Sequence, residues 1–593
     1  MNSSACCRRI RVVMVLVCAM LGTVAWGGAD DVVISITDYT GRGFAPDCVN
    51  YRLDGTVDAK STVLRDAAGK DVPFQVTKAG DGANTLSFIA EVALNQTATW
   101  TVSKGTPSAK GAVTVRTDTK ALALANDRLS VCLPPVQSRT FETPVAADTL
   151  PAPIQSWTSR GSAPMGAAKI LTKRLVKSLN VAVVTEGDVW SEAVYEIAWA
   201  AGGFYRCTVR VEHRVPMAKV TEEYDIGMLD GSDYWELNPL AGWTPDTLEE
   251  AHPAGNGGAN YKGDIGDLTA LSKRKPFYPM APDLGNLGHF GLYSAAAMKA
   301  NPDTAPMAGV LLMHRGSWRR STALEVYSPE GGLLVRLPMS PRDTMWAKDL
   351  SSVTSPFSMH SFDKTLPATY GRRIWGLLLA PAELPELKGA KAIESPDNTF
   401  NGLSLFSRAR SLYGVVGLDR YKDYVLDWPD SGLKYPRIWR AGMSPEAQRA
   451  ALDKAPVAES AKAFMRRNFA TFAAPEKRAE TLASEWAAVR GRHLTFLANY
   501  FTTCPTPSHH TVSGSYAGAQ MVDDLLAQPD TTPEQRRELR ARTALLNYLF
   551  NEPDVMDFGS GQHPGNPNMG MARSFPGMAY VPLMADHPMY EAW

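Results

Sequence analysis

Tyr205-Arg206-Cys207-Thr208-Val209-Arg210-Val211-Glu212 alternates apolar and polar side chains residue by residue. A period of two puts Tyr205, Cys207, Val209 and Val211 on one face, with the arginines and Thr208 on the other. That is the pattern of an antiparallel strand with one dry and one wet side. The texture continues outward. Residues 181–186, 193–200 and 218–226 read as partners, so that four strands form a meander. Further strands are expected at 308–314, 323–327, 333–337 and 373–379, with no segment of helical period between 120 and 370. Between them, 231–301 is rich in Gly, Pro, Asn and aromatics and reads as long loops on the β scaffold.

Upstream, short β-prone runs at 32–36, 63–65, 72–76, 85–89 and 97–102 are separated by polar turns such as Ala68-Gly69-Lys70-Asp71. They predict a small barrel or sandwich. Downstream the period becomes helical. Residues 476–501 place Leu482, Trp486, Val489, His493, Leu494, Phe496, Leu497 and Tyr500 at three-and-four spacing. A smaller-residue helix is expected at 513–527. Thr532-Pro533-Glu534-Gln535 is a capping box opening a helix to about Phe550, and another helix is expected near Phe575. The fold class expected is multidomain β then α: a small β-barrel or sandwich, a long antiparallel β-sandwich, then an incomplete α/α-toroid-like helical region. The expected boundaries are 1–29 for a signal peptide, 30–115 and 116–390 for the β domains, 391–474 for a connecting segment and 475–593 for the helical domain.

The first thirty residues read as a secretory signal. Arg8, Arg9 and Arg11 precede an apolar run from Val12 to Ala25, and Gly27, Gly28 and Ala29 offer a small-residue exit. Fourteen helical residues rise only about 21 Å, short of the ~30 Å bilayer core, which argues against an anchor. The chain is therefore expected to be secreted or periplasmic, with no membrane span after cleavage. Sixty-one basic and 61 acidic residues balance, so composition carries no footprint of nucleic-acid binding. Outside the leader Cys48, Cys132, Cys207 and Cys504 are widely spaced, which excludes a zinc knuckle or a CxxC redox motif; buried thiols and one long-range bridge both remain open.

The domain order resembles secreted bacterial polysaccharide lyases of the exo-rhamnogalacturonan type, with Val63-Leu64-Arg65-Asp66-Ala67-Ala68-Gly69-Lys70-Asp71-Val72-Pro73-Phe74 similar to their first domain. A looser likeness runs to the heparinase II/III and alginate-lyase groups, which combine toroid and sandwich in the other order. The resemblance implies β-elimination on an acidic polysaccharide or oligosaccharide, and it names no cofactor. A closed toroid needs more helices than this region holds, and 588–593 reads as the opening turns of another, so the sequence is expected to be a fragment of a longer protein.

The densest polar constellation lies near the end of the chain. His509 and His510 precede the 513–527 helix, and a Gly- and Pro-rich loop carrying His563, Asn566 and Asn568 follows the 533–550 helix, with Arg573, Tyr580 and His587 beyond. If the two helices pack side by side, both histidine groups would line one subsite. Elimination beside a carboxylate would otherwise create a dianion, so the carboxylate has to be neutralised first. Asn566, Asn568 and Arg573 suit that role by hydrogen bonding, and His563, His509, His510 or Tyr580 suits the base or acid. The alternative is structural, with asparagines capping helices. Adjacent histidines cannot both turn to one ion, so no metal is expected. Trp235, Trp243, Tyr261, Phe277, Tyr278 and Phe290 are candidates for stacking on sugar rings or for core packing. Glu222, Glu223 and Asp225 are candidates for glycosidase carboxylates or a solvated strand. The competing functions are a glycoside hydrolase and a non-catalytic carbohydrate-binding or cell-surface structural protein.

Overall fold

The structure is a computed structural model that describes residues 23–25, 31–41, 43–54, 57–78, 82–159, 162–225, 234–251, 260–264, 289–294, 306–314, 325–327, 334–338, 370–379, 416–438, 445–468, 482–491, 493, 515–551 and 579–593. The chain divides into two compact units, one of residues 1–38 and 42–423, the other of 39–41 and 424–593.

The first unit is built of strands. Two small sheets open it. Val32–Thr37 pairs with Thr97–Lys104, which pairs with Thr62–Asp66; Phe44–Asp54 pairs with Asn84–Val92, which pairs with Phe74–Lys78. Phe88 and Trp100 meet between these sheets with ring centroids 5.3 Å apart. Of the expected leader only Thr23–Ala25 is described, and it pairs in parallel with Arg52–Asp54.

The sheet that follows contains ten strands among the described residues. Leu175–Thr185, Trp190–Trp199, Phe204–Glu212 and Met217–Asp225 are adjacent and antiparallel in that order, the meander read from sequence. Tyr205, Cys207, Val209 and Val211 are fully buried. A one-residue slip would exchange them for Arg206, Thr208 and Arg210, and each large apolar side chain so exposed would lose about 1.5–3 kcal/mol of burial. Next come Tyr370–Leu378 and Met307–His314. The sheet then continues through His289–Tyr293, Thr247–Ala251 and Asn260–Asp264. Strand Tyr234–Asn238 belongs to a four-stranded sheet with Ala167–Leu171, Leu334–Pro338 and Glu325–Tyr327.

The loop reading of 231–301 is therefore corrected: four strands lie among its described residues. Glycine and asparagine fill the connections between them, while Tyr234-Trp235-Glu236-Leu237 keeps the alternation of a strand. Among the described residues the only helical turn between 120 and 370 is a 3-10 turn at Ala147–Thr149. Cys48, Cys132 and Cys207 are free thiols, and Cys504 lies outside the described residues.

The second unit is helical. Helices run over Pro445–Asp453, Glu459–Asn468, 482–491, Ser515–Ala527 and Pro533–Asn551. The capping box forms as expected: Gln535 N donates to Thr532 Oγ1 at 3.2 Å and Thr532 N to Gln535 Oε1 at 3.0 Å. Helix Pro533–Asn551 is the centre of the unit, since ten of its residues from Leu539 to Leu549 are buried on all sides. The helix start expected near Phe575 lies outside the described residues; Ala579 and Tyr580 are helical, and 3-10 turns follow at Val581–Met584 and Tyr590–Ala592. No helix among the described residues is long and apolar enough to cross a membrane.

Candidate functional site

Of the residues singled out in the polar loops, His509, His510, His563, Asn566, Asn568 and Arg573 lie outside the described residues, as does the expected meeting of the two loops. Tyr580 is described. It lies inside the helical unit, 1% exposed, at the start of the Val581–Met584 turn. Its hydroxyl approaches the backbone of helix Ser515–Ala527 so closely that a Cβ on Gly518 would sit 2.6 Å from it. A glycine inside a helix costs about 0.5–1 kcal/mol relative to alanine, and here the phenol oxygen takes the space a side chain would fill.

Edge-on to Tyr580, with ring centroids 6.0 Å apart, is His493. It follows Leu482, Trp486 and Val489 on the inward stripe of its helix, and Val489 and His493 are both buried. Neither ring nitrogen of His493 has a hydrogen-bond partner among the described residues. Burial, reinforced by the charge of Arg542, lowers its pKa to about 3, so the imidazole is neutral across the working range. Arg542 is followed on helix Pro533–Asn551 by Thr543, with Asn547 one turn later on the same face. Both are fully buried, and the Thr543 hydroxyl and both polar atoms of the Asn547 amide have no hydrogen-bond partner among the described residues. A buried polar group left unpaired costs about 1–3 kcal/mol. His493, Thr543 and Asn547 thus hold three polar side chains in the unit's interior at a cost that no described contact offsets.

The other buried histidine of the unit is in a different condition. His587 Nε2 lies 2.8 Å from the Val425 carbonyl, and Nδ1 accepts from Met589 N at 3.0 Å. That network assigns the proton to Nε2. The ring stacks on Trp593 at 4.4 Å and meets Trp428 edge-on at 4.5 Å. Burial lowers its pKa to about 4, although the Val425 bond favours the charged form. Asp523 is buried on helix Ser515–Ala527 and accepts from Arg437 N and Ile438 N, each at 2.7 Å. Burial raises it to about 6 against those bonds.

Of the carboxylate candidates in the first unit, Asp225 is exposed at the end of its strand, while Glu222 and Glu223 have structural partners. Glu222 is fully buried and accepts from Tyr205 Oη at 2.8 Å, Trp235 Nε1 at 2.7 Å and Trp375 Nε1 at 2.8 Å. It joins the strands Phe204–Glu212, Tyr234–Asn238 and Tyr370–Leu378, so Trp235 is a core residue and not a stacking platform. Glu223 lies on the outer face beside Arg206, at 3.4 Å. Trp243 donates its indole N–H to the Pro239 carbonyl. Phe277 and Tyr278 lie outside the described residues, and the side chains of Tyr261 and Phe290 are likewise not described. Among the described residues no group of three His, Cys, Asp or Glu is placed to hold a metal ion.

Sequence reasoning placed His493 on an inward helical stripe and named Tyr580, but it passed over Gly518, Thr543 and Asn547. The available signal was a glycine within a helix and two polar residues four apart with Ala544, Leu545 and Leu546 between them.

No family model matches the chain, and no curated protein does. Among solved structures the chain is similar to a glycosyl hydrolase family 38 protein from Enterococcus faecalis, at 9% identity and a TM-score of 0.33, over 58% of this chain and 44% of that one. It is also similar to an alpha-mannosidase from Enterococcus faecalis V583, at 9% identity and a TM-score of 0.34, over 59% of this chain and 43% of that one. The chain spans less than half the length of those two proteins, and a likeness at this level transfers neither activity nor site.

Proposed function

We propose that the protein is a secreted carbohydrate-active enzyme that cleaves an acidic polysaccharide or oligosaccharide by β-elimination, with its chemistry in the helical unit. The observation that carries this reading is the pairing of Tyr580 with a buried, neutral His493 that has no hydrogen-bond partner among the described residues. Elimination breaks the C–H bond beside the uronate carboxylate and the C–O bond to the leaving sugar, and it forms the C=C bond between them. The abstracted proton goes to a base, and the leaving oxygen takes one from an acid. A histidine with so depressed a pKa is a poor base near neutrality. It is suited instead to act as a neutral donor that stabilises negative charge developing on the carboxylate, as the Asn547 amide is. Tyr580 is then the proton-transfer group. We assign the remaining roles to His509, His510 and His563 as further acid–base groups, and to Asn566, Asn568 and Arg573 as carboxylate neutralisers.

The test is incubation of the full chain with pectic and glycosaminoglycan substrates, following ultraviolet absorbance of the unsaturated uronide together with new reducing ends. Both signals should rise. Reducing ends without the absorbance mean hydrolysis, and neither signal means a binding or structural protein; each result removes the elimination reading. The secreted location predicts a mature N-terminus just after Gly27 or Ala29, read by N-terminal sequencing.

A further inference from the structure

A second place in the helical unit has a chemistry of its own. The first two turns of helix Pro533–Asn551 and the segment Leu426–Asp430 enclose a cleft of about 210 Å³. Leu426, Trp428 and Pro533 supply its apolar wall, and Arg536, Arg537 and Arg540 face Asp427 and Asp430 across it. Most of these charges are committed. Arg540 stacks on Trp428 at 4.2 Å and donates to Asp586 at 3.0 Å; Arg536 Nη2 donates to the Leu526 carbonyl at 3.0 Å; Asp430 accepts from Gly432 N at 2.9 Å. Arg537 and Asp427 are both exposed, and among the described residues neither makes a hydrogen bond or ion pair.

We infer that this cleft binds a single uronate ring. Arg537, with the uncommitted edge of Arg536, takes the carboxylate. Asp427 accepts ring hydroxyls, and Leu426 and Pro533 carry the apolar face of the sugar. Three considerations lead there. A guanidinium without a partner presents a planar fork matched to a carboxylate. Carboxylates within the same cleft repel a bare anion such as sulfate but suit a polyhydroxylated ring. The volume lies below the ~300 Å³ at which ordinary small-molecule pockets begin, so it fits one ring and not a stretch of chain. The inference rests on the cleft and not on His493 or Tyr580, so it stands or falls separately from the elimination chemistry.

The experiment is calorimetric or NMR titration of the full chain with galacturonate, glucuronate, galactose and inorganic sulfate, on the natural protein and on Arg537→Ala and Asp427→Asn. Both substitutions are at exposed positions, and circular dichroism checks that the variants remain folded. A uronate should bind, galactose should bind at least about tenfold more weakly, and Arg537→Ala should weaken uronate binding by about 10- to 100-fold, as expected for a lost hydrogen bond to a charged group. Asp427→Asn should weaken it less. Galactose binding as tightly as a uronate, sulfate competing as well as a uronate, or an unchanged affinity in folded Arg537→Ala would each overturn the assignment.

Discussion

Two buried histidines of the same helical unit are solved in opposite ways. His587 sits in a box of Trp428, Tyr548 and Trp593, with one ring nitrogen donating and the other accepting. His493 sits against Tyr580, and neither of its nitrogens has a hydrogen-bond partner among the described residues. Both are neutral, so charge does not separate them; satisfaction does. A bonded buried histidine holds structure together. An unbonded one beside a phenol, with unbonded Thr543 and Asn547 on the central helix of the unit, works against stability while it keeps donors and acceptors available. The β unit holds both conditions as well: the buried Glu222 is saturated by three donors, while the buried indoles of Trp157 and Trp199 have no hydrogen-bond partner among the described residues.

The sharpest way to break this contrast is Tyr580→Phe. The ring and its packing stay, and only the hydroxyl goes. If Tyr580 moves the proton, turnover of a uronide substrate should fall by about 10²–10⁴-fold in a variant that circular dichroism shows to be folded. Normal turnover would move the chemistry elsewhere. The opposite pattern is expected at the other histidine. His587→Ala removes two hydrogen bonds and an aromatic ring and should cost about 2–4 kcal/mol by denaturant unfolding, with turnover per folded molecule unchanged.

Acidification sharpens the comparison on a smaller scale. The folded pKa values of His493 and His587, about 3 and about 4, lie below the ordinary 6.5. Each therefore contributes stability that is complete above pH 6.5 and is lost as pH falls through the window down to those values, because the unfolded chain takes up the protons first. Asp523, raised to about 6, has the reverse sign: its contribution is complete below pH 3.8 and is lost as pH rises through 6. Glu485, raised by burial, shares that sign. Asp523 and Glu485 oppose the two histidines, so the clean readout is a difference: replacing His493 or His587 by an apolar residue should reduce the slope of stability against pH between 4 and 6 by up to about 1.4 kcal/mol per pH unit relative to the natural protein. Unchanged slopes in both variants would mean that the two histidines are not held neutral. The smallest expected effect is Gly518→Ala. The helix gains propensity while the new Cβ displaces the Tyr580 hydroxyl, so stability should shift by under about 1 kcal/mol and turnover should drop. A variant with full turnover would show that the position of the hydroxyl does not matter.

Much of this architecture could be read from the chain. The alternation at 205–212 gave the face and register of its strand, and Thr532–Gln535 gave the helix start by its own hydrogen bonds. Phe44–Asp54 was missed because Pro46 and Asp47 interrupt its pattern where the ladder shifts register between Phe44 and Asp47. Asp47 is there for a distant partner, Lys219 at 2.5 Å, and sequence spacing cannot show such a contact. The strands within 231–301 were hidden by the glycine and asparagine around them. At the candidate site, His493 and Tyr580 were visible as residues, but their meeting depends on how two segments far apart in sequence pack. That His493 has no hydrogen-bond partner among the described residues is a property of its surroundings, and no local pattern carries it.

The most direct test is His493→Leu, measured for stability and turnover together. If the unbonded imidazole is present for chemistry, replacing it with an apolar side chain removes an unpaired buried group. The protein should then keep or gain stability, by up to about 1–3 kcal/mol, while uronide turnover collapses. A variant that loses stability and keeps its turnover would contradict the account, because His493 would then be a structural histidine like His587.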